Sequence, residues 1–89
     1  MSSGAGKPIL LSGHARGRLA RRGFTEAEVD DTIRTCTWRA APGNRWEATK
    51  TFPYQRVWNG VFYAEKKVQP VFVESPTEIV VITVYTYFL

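Results

Sequence analysis

The chain has 89 residues, with 12 Lys and Arg against 8 Asp and Glu and a formal net charge of +4. That length supports one domain with a modest core and excludes a second, and the cationic surplus suits a polyanionic partner. One cysteine, Cys36, excludes an internal disulfide, and one histidine, His14, leaves too few ligands for a zinc site, so no cofactor is expected.

Between Met1 and Lys7 stand only Ser, Ser, Gly, Ala and Gly, so residues 1–7 are predicted to be a mobile tail, with a single domain over residues 8–89. Pro8-Ile-Leu-Leu11 reads as a short strand or an apolar lead-in. Ser12 can then cap a helix through its side-chain oxygen, and Gly23 can end it in the left-handed conformation. Gly17 weakens that helix by about 1 kcal/mol relative to Ala. The stretch carries the only histidine and four basic residues, Arg16, Arg18, Arg21 and Arg22. At about 100° per residue, His14, Arg18 and Arg21 form one stripe with Arg22 at its margin, while Ala15 and Leu19 sit to one side. Like charges this close repel by a few tenths of a kcal/mol per pair. A solvated basic face is the plain account of such a run. The polar Ser-Gly-His context at its start points instead to a site.

A second helix is predicted from Thr25 to about Thr35. Thr25 and Glu28 form a capping box, acids crowd the first turns, and Arg34 lies near the end. Val29, Ile33 and Cys36 give it one apolar face. Glu26, Glu28, Asp30 and Asp31 are half of all the acids, well placed for the helix dipole, and their clustering leaves the rest of the surface more basic.

From Thr37 the pattern alternates, and Pro42-Gly-Asn44, Asn59-Gly60 and Ser75-Pro-Thr77 mark turns. Four strands are predicted: Thr37–Ala41, Trp46–Phe52, Val61–Val73 with a bend near Pro70, and Glu78–Tyr87. Tight hairpin signals make the sheet mainly antiparallel. The expected fold is therefore α+β, with two N-terminal helices packed on one face of a mainly antiparallel four-stranded sheet. In the last strand Val80, Ile82 and Val84 form an apolar face expected to receive the helices. Thr83, Tyr85 and Tyr87 point the other way, and basic and aromatic groups on such a face suit nucleic acid. Pairing across strands with Phe62 or Tyr63 is the plainer role for either tyrosine. The apolar run Ile79–Leu89 is too short to cross a bilayer as a helix. With no signal-peptide pattern at the N-terminus, the expectation is a cytoplasmic protein without a membrane partner.

No phosphate-binding glycine loop, cysteine pair, nucleophile elbow or carboxylate cluster occurs. What remains, His14 with the arginines, lysines, tyrosines and Thr83, suits metal-free RNA cleavage. That reaction needs a base for the 2′-OH proton, cations for the phosphate and an acid for the leaving oxygen. Imidazole serves as such a base near neutral pH, and Arg18, Arg21, Arg22 and Lys67 are available to phosphates.

His14-Ala-Arg16, Arg22-Gly-Phe-Thr25 with Glu28-Val29 behind it, Lys50-Thr-Phe-Pro53, Trp58-Asn-Gly-Val-Phe-Tyr63, Lys67-Val-Gln-Pro-Val-Phe-Val73 and Ile82-Thr-Val-Tyr-Thr-Tyr-Phe88 occur in that order. From Leu11 onward the chain resembles the uncharacterised bacterial DUF4258 family. The resemblance implies a compact α+β fold related to RelE/ParE-type toxins and the barnase-EndoU-colicin-RelE ribonucleases. It implies His14 as base or acid, Thr83 and Tyr85 facing the scissile phosphate, and Lys50 and Arg18 holding it. A small metal-independent endoribonuclease of toxin type, restrained by a separate antitoxin protein, is the leading expectation. One alternative is an inactive RNA- or ribosome-binding module. Another is a protein-interaction or homodimerisation surface built on Trp38, Trp46, Trp58 and the apolar strand ending at Leu89.

Overall fold

The computed structural model describes residues 6–89. Its elements are β1 (Ile9–Leu11), α1 (Gly13–Arg22), α2 (Glu26–Thr35), β2 (Arg39–Ala41), β3 (Arg45–Glu47), β4 (Lys50–Trp58), β5 (Val61–Glu74) and β6 (Ile79–Phe88). The expected tail lies outside the described residues up to Ala5. Lys7 is anchored, its ammonium 2.8 Å from Glu74 and 2.9 Å from the Ser75 carbonyl.

Both helices form where their caps dictate. The Ser12 hydroxyl accepts from the Ala15 N–H at 3.1 Å, and Gly23 closes α1 at φ 71°. A Cβ at Gly23 would stand 2.8 Å from the Trp58 ring, so this residue is required both for its conformation and for the close approach of the indole. Thr25 and Glu28 complete the capping box of α2, and Val29 and Ile33 are fully buried. The acids of α2 do more than complement its dipole. Glu26, Glu28, Asp30 and Asp31 pair with Arg16, Lys66, Arg34 and Lys50 respectively.

The α+β class is as expected, but the sheet is a mixed one of six strands rather than a mainly antiparallel one of four. Its order is β1-β6-β5-β3-β2, with β4 also paired to β5. Two physical features account for the difference. β1 runs parallel to β6, Ile9 beside Ile79 and Leu11 beside Val81, a pairing made across the whole chain that leaves no local signal. The single strand expected over Trp46–Phe52 is broken at Ala48-Thr49 into β3 and β4, which pair with successive parts of the long β5. The break faces Pro70, which offers no N–H to a neighbour, while its carbonyl accepts from Ala48 at 3.3 Å.

The face of β6 that receives the helices also differs from expectation. Ile79, Val81 and Val84 are fully buried, whereas Val80 and Ile82 are only partly so. The register slips between Val71 opposite Thr83 and Phe72 opposite Val81, leaving Ile82 as an extra residue on β6. One inserted residue reverses the alternation, so the helix-facing set is Ile79 and Val81 before the bulge and Val84 after it. The bulge also seats α1, because the Ser12 hydroxyl donates to the Ile82 carbonyl at 3.1 Å and the Ser12 N–H to that of Val81 at 2.9 Å. The core lies between the helices and this face, around Phe24, Val29, Ile33, Phe72, Val81 and Val84.

Candidate functional site

Six of the twelve cations, Lys7, Arg16, Arg34, Arg39, Lys50 and Lys66, stand within 3.2 Å of a carboxylate. Among the described residues, Arg18, Arg21, Arg22, Arg45, Arg56 and Lys67 have no acidic partner. Three of these six lie on α1. Taking buried Ala15 as the inward direction, Arg22, Arg18, His14 and Arg21 follow at about 20°, 60°, 100° and 120° to one side, and Arg16 at about 100° to the other. Arg16 reaches α2 through Glu26 at 3.0 Å. The basic stripe therefore lies on the side of α1 away from α2, beside the outer edge of β6.

Beyond Val81 no described strand pairs with that edge. The phase of the ladder follows from the reciprocal bonds of Leu89 with Glu65, at 2.9 and 3.1 Å, and from Pro70 opposite Val84. Tyr85 and Tyr87 bond to β5, while the N–H and C=O groups of Val84, Thr86 and Phe88 point outward. Arg22 takes one of these, its guanidinium 2.8 Å from the Val84 carbonyl and 5.4 Å from the centre of the Tyr85 ring. This arginine joins the helical stripe to the strand edge.

On the face of the sheet away from the helices, the register places Thr83 beside Val71, Tyr85 beside Gln69 and Tyr87 beside Lys67. The Lys67 ammonium lies 5.4 Å from the Tyr87 ring centre, and Tyr85 and Tyr87 are 44% and 45% exposed. The two phenols thus neighbour Gln69 and Lys67 rather than Phe62 or Tyr63. Tyr63 instead packs on the opposite face, its ring 5.4 Å from that of Phe88.

Under the C-terminal end of α1 the edge of β6 forms a cleft of about 270 Å³, lined by Arg21, Arg22, Trp58, Tyr85, Thr86, Tyr87 and Phe88. Trp58 and Phe88 are stacked at 4.9 Å and 13° and form its apolar wall. The Thr86 hydroxyl is buried and has no hydrogen-bond partner among the described residues. A larger depression, about 460 Å³, is lined by residues of the β2–β3 hairpin from Ala40 to Trp46 and brings in only one cation, Arg45.

The structure thus brings together Arg21, Arg22 and Tyr85, with Arg18 on the same stripe and Lys67 beside Tyr87. Lys50 stands apart. It is bound to α2, 2.7 Å from Asp31 and 3.2 Å from the Thr35 hydroxyl. The His14 side chain is exposed on the first turn of α1 and, among the described residues, has no hydrogen-bond or ion-pair partner. Its helix covers one face of the sheet, and the Thr83 side chain stands on the other. Sequence reasoning placed Trp58 only in a candidate protein-interaction surface and did not single out Thr86 and Phe88, which line the cleft with it. Only the aromatic character of the ends of β4 and β6 could have hinted at them. Among the described residues no three His, Cys, Asp or Glu side chains stand together as a metal site, and no helix is long and apolar enough to cross a membrane. No protein family matches the chain, and no curated protein or solved structure shows significant similarity to it.

Proposed function

We propose that the protein binds single-stranded RNA along the open edge of β6, with Arg18, Arg21, Arg22 and Lys67 on phosphates and Tyr85 and Tyr87 against bases. The observation that carries this reading is the distribution of charge. Every acid of α2 has a cation partner, whereas the basic stripe of α1 has no acidic partner among the described residues and meets exposed aromatic rings at a strand edge. Unpaired arginines beside stacking surfaces are what a flexible polyanion with accessible bases requires. Kinship with DUF4258, and through it with RelE-type toxins, belongs to the same proposal, as do a cytoplasmic location and a separate neutralising protein. Anisotropy of a labelled single-stranded RNA 12-mer in EDTA tests it. The Arg18→Gln/Arg21→Gln variant should weaken binding roughly tenfold or more, whereas Arg45→Gln, on β3 across the sheet from β6, should not. Equal effects of the two changes would reject the reading.

Cleavage of the bound RNA is the second reading, favoured by one observation: the His14 side chain is exposed, without a partner among the described residues, and on the same stripe of α1 as Arg18 and Arg21. The 2′-oxygen would form a bond to the adjacent phosphorus as the bond to the 5′-oxygen breaks. His14 would take the 2′-OH proton, and the leaving oxygen would gain one from a tyrosine or from water. Products resolved on a denaturing gel in EDTA, lost in His14→Ala at unchanged affinity, support cleavage. Intact RNA with the wild-type protein rejects it.

A further inference from the structure

The face of the sheet away from the helices ends in apolar side chains that RNA binding does not use. Trp58 packs on Phe88 and against Gly23 on the helix side, so its neighbour Val57 and the paired Phe62 point the other way. The N–H groups of Ala64 and Glu65 both donate to the Leu89 carbonyl, at 3.0 and 3.1 Å, a bulge that leaves Glu65 and Leu89 on this outer face with Lys67 and Tyr87. Val57, Phe62 and Leu89 each keep more than half of their surface exposed. Both helices pack on the opposite face, and no described element covers this one.

Its charges point to the occupant. In a chain with a surplus of cations, Glu65 has no cation partner among the described residues, and Lys67, two residues along the same strand and face, has no acidic one. A free carboxylate repels phosphates, and Val57 and Leu89 offer no ring to a base, so this end of the face suits protein rather than RNA. The Glu65 and Lys67 pair is complementary to itself once one copy is reversed against another. We propose that two copies of the chain associate here, sheet against sheet, about a two-fold axis that lies between the sheets and crosses the strands at Lys66. Each Glu65 then meets the other copy's Lys67, and each Leu89 the other's Tyr87, with Phe62 and Val57 to either side. The four apolar side chains leave on the order of 400 Å² open in each copy, and with a polar rim of about the same area the pair reaches the roughly 1,600 Å² of a standard interface. The dimer does not depend on the RNA-binding reading. It covers Lys67 and Tyr87, so the second copy and RNA exclude one another at that part of β6.

The test is sedimentation equilibrium of the protein without RNA, at concentrations up to about 0.5 mM, with circular dichroism to confirm that each variant is folded. The wild-type chain should follow a monomer–dimer equilibrium. Phe62→Ser/Leu89→Ser, which alters only exposed side chains, should weaken the dimer roughly tenfold or more. Glu65→Lys and Lys67→Glu should each do the same, because like charges then face each other twice, and an equimolar mixture of the two variants should associate again as a heterodimer. A wild-type chain that stays monomeric throughout, a dimer unaffected by the serine variant, or a mixture no more associated than its separate components would overturn the proposal.

Discussion

Lys66 is 3% exposed, and its ammonium lies 2.8 Å from the Gly23 carbonyl and 2.8 Å from Glu28, holding the end of α1 and the start of α2 to the sheet. Lys66→Met keeps the stem and removes the charge. It leaves the Gly23 carbonyl without this donor, a loss of about 1 kcal/mol. Glu28 also loses its cation. Breaking a fully buried pair costs about 3–5 kcal/mol, but the Glu28 side chain is 20% exposed and retains the Thr25 N–H at 2.9 Å, so about 2 kcal/mol is the fitting figure. The sum, about 3 kcal/mol, is a large fraction of the roughly 5–15 kcal/mol that holds such a domain folded. Urea unfolding followed by circular dichroism measures it. Glu28→Gln keeps an oxygen for the Thr25 N–H and removes the unpaired charge, so in the Lys66→Met background it should recover about 1–2 kcal/mol, although alone it destabilises. A loss below about 1 kcal/mol in Lys66→Met, or an equal effect of Glu28→Gln in both backgrounds, would refute the reasoning.

Gly23→Ala places a Cβ 2.8 Å from the Trp58 ring at φ 71°, and it should lower stability by about 2 kcal/mol, seen as a fall of roughly 8–16 °C in Tm. Ser12→Ala removes the cap of α1 and the bond to the Ile82 carbonyl together, for about 2 kcal/mol by chemical denaturation. Ser12→Asp should restore the cap but not the donation to Ile82, and so recover only part of the loss.

The caps were legible because they are local: Ser12, Gly23, and Thr25 with Glu28 act within a few residues of themselves. The Asn59-Gly60 turn was legible for the same reason, both residues taking the positive φ that its sequence invites. What the sequence concealed is non-local. Ile79 to Val84 is apolar or β-branched throughout, so either face could have packed, and the choice was made by a bulge whose carbonyl seats the start of α1. The arginine stripe could be read from helical spacing alone. That Lys50 would be held by Asp31 could not, because that contact depends on how α2 packs across the sheet. Nor could the cleft, whose wall joins Trp58 to Phe88 only once β5 lies between their strands.

The most direct measurement of the central claim is the salt dependence of RNA affinity. Four cations on phosphates give a slope of log K against log salt of about −2.8, and Arg18→Gln/Arg21→Gln should reduce it to about −1.4. A slope near zero for the wild-type protein, or one unchanged in the variant, would contradict the account.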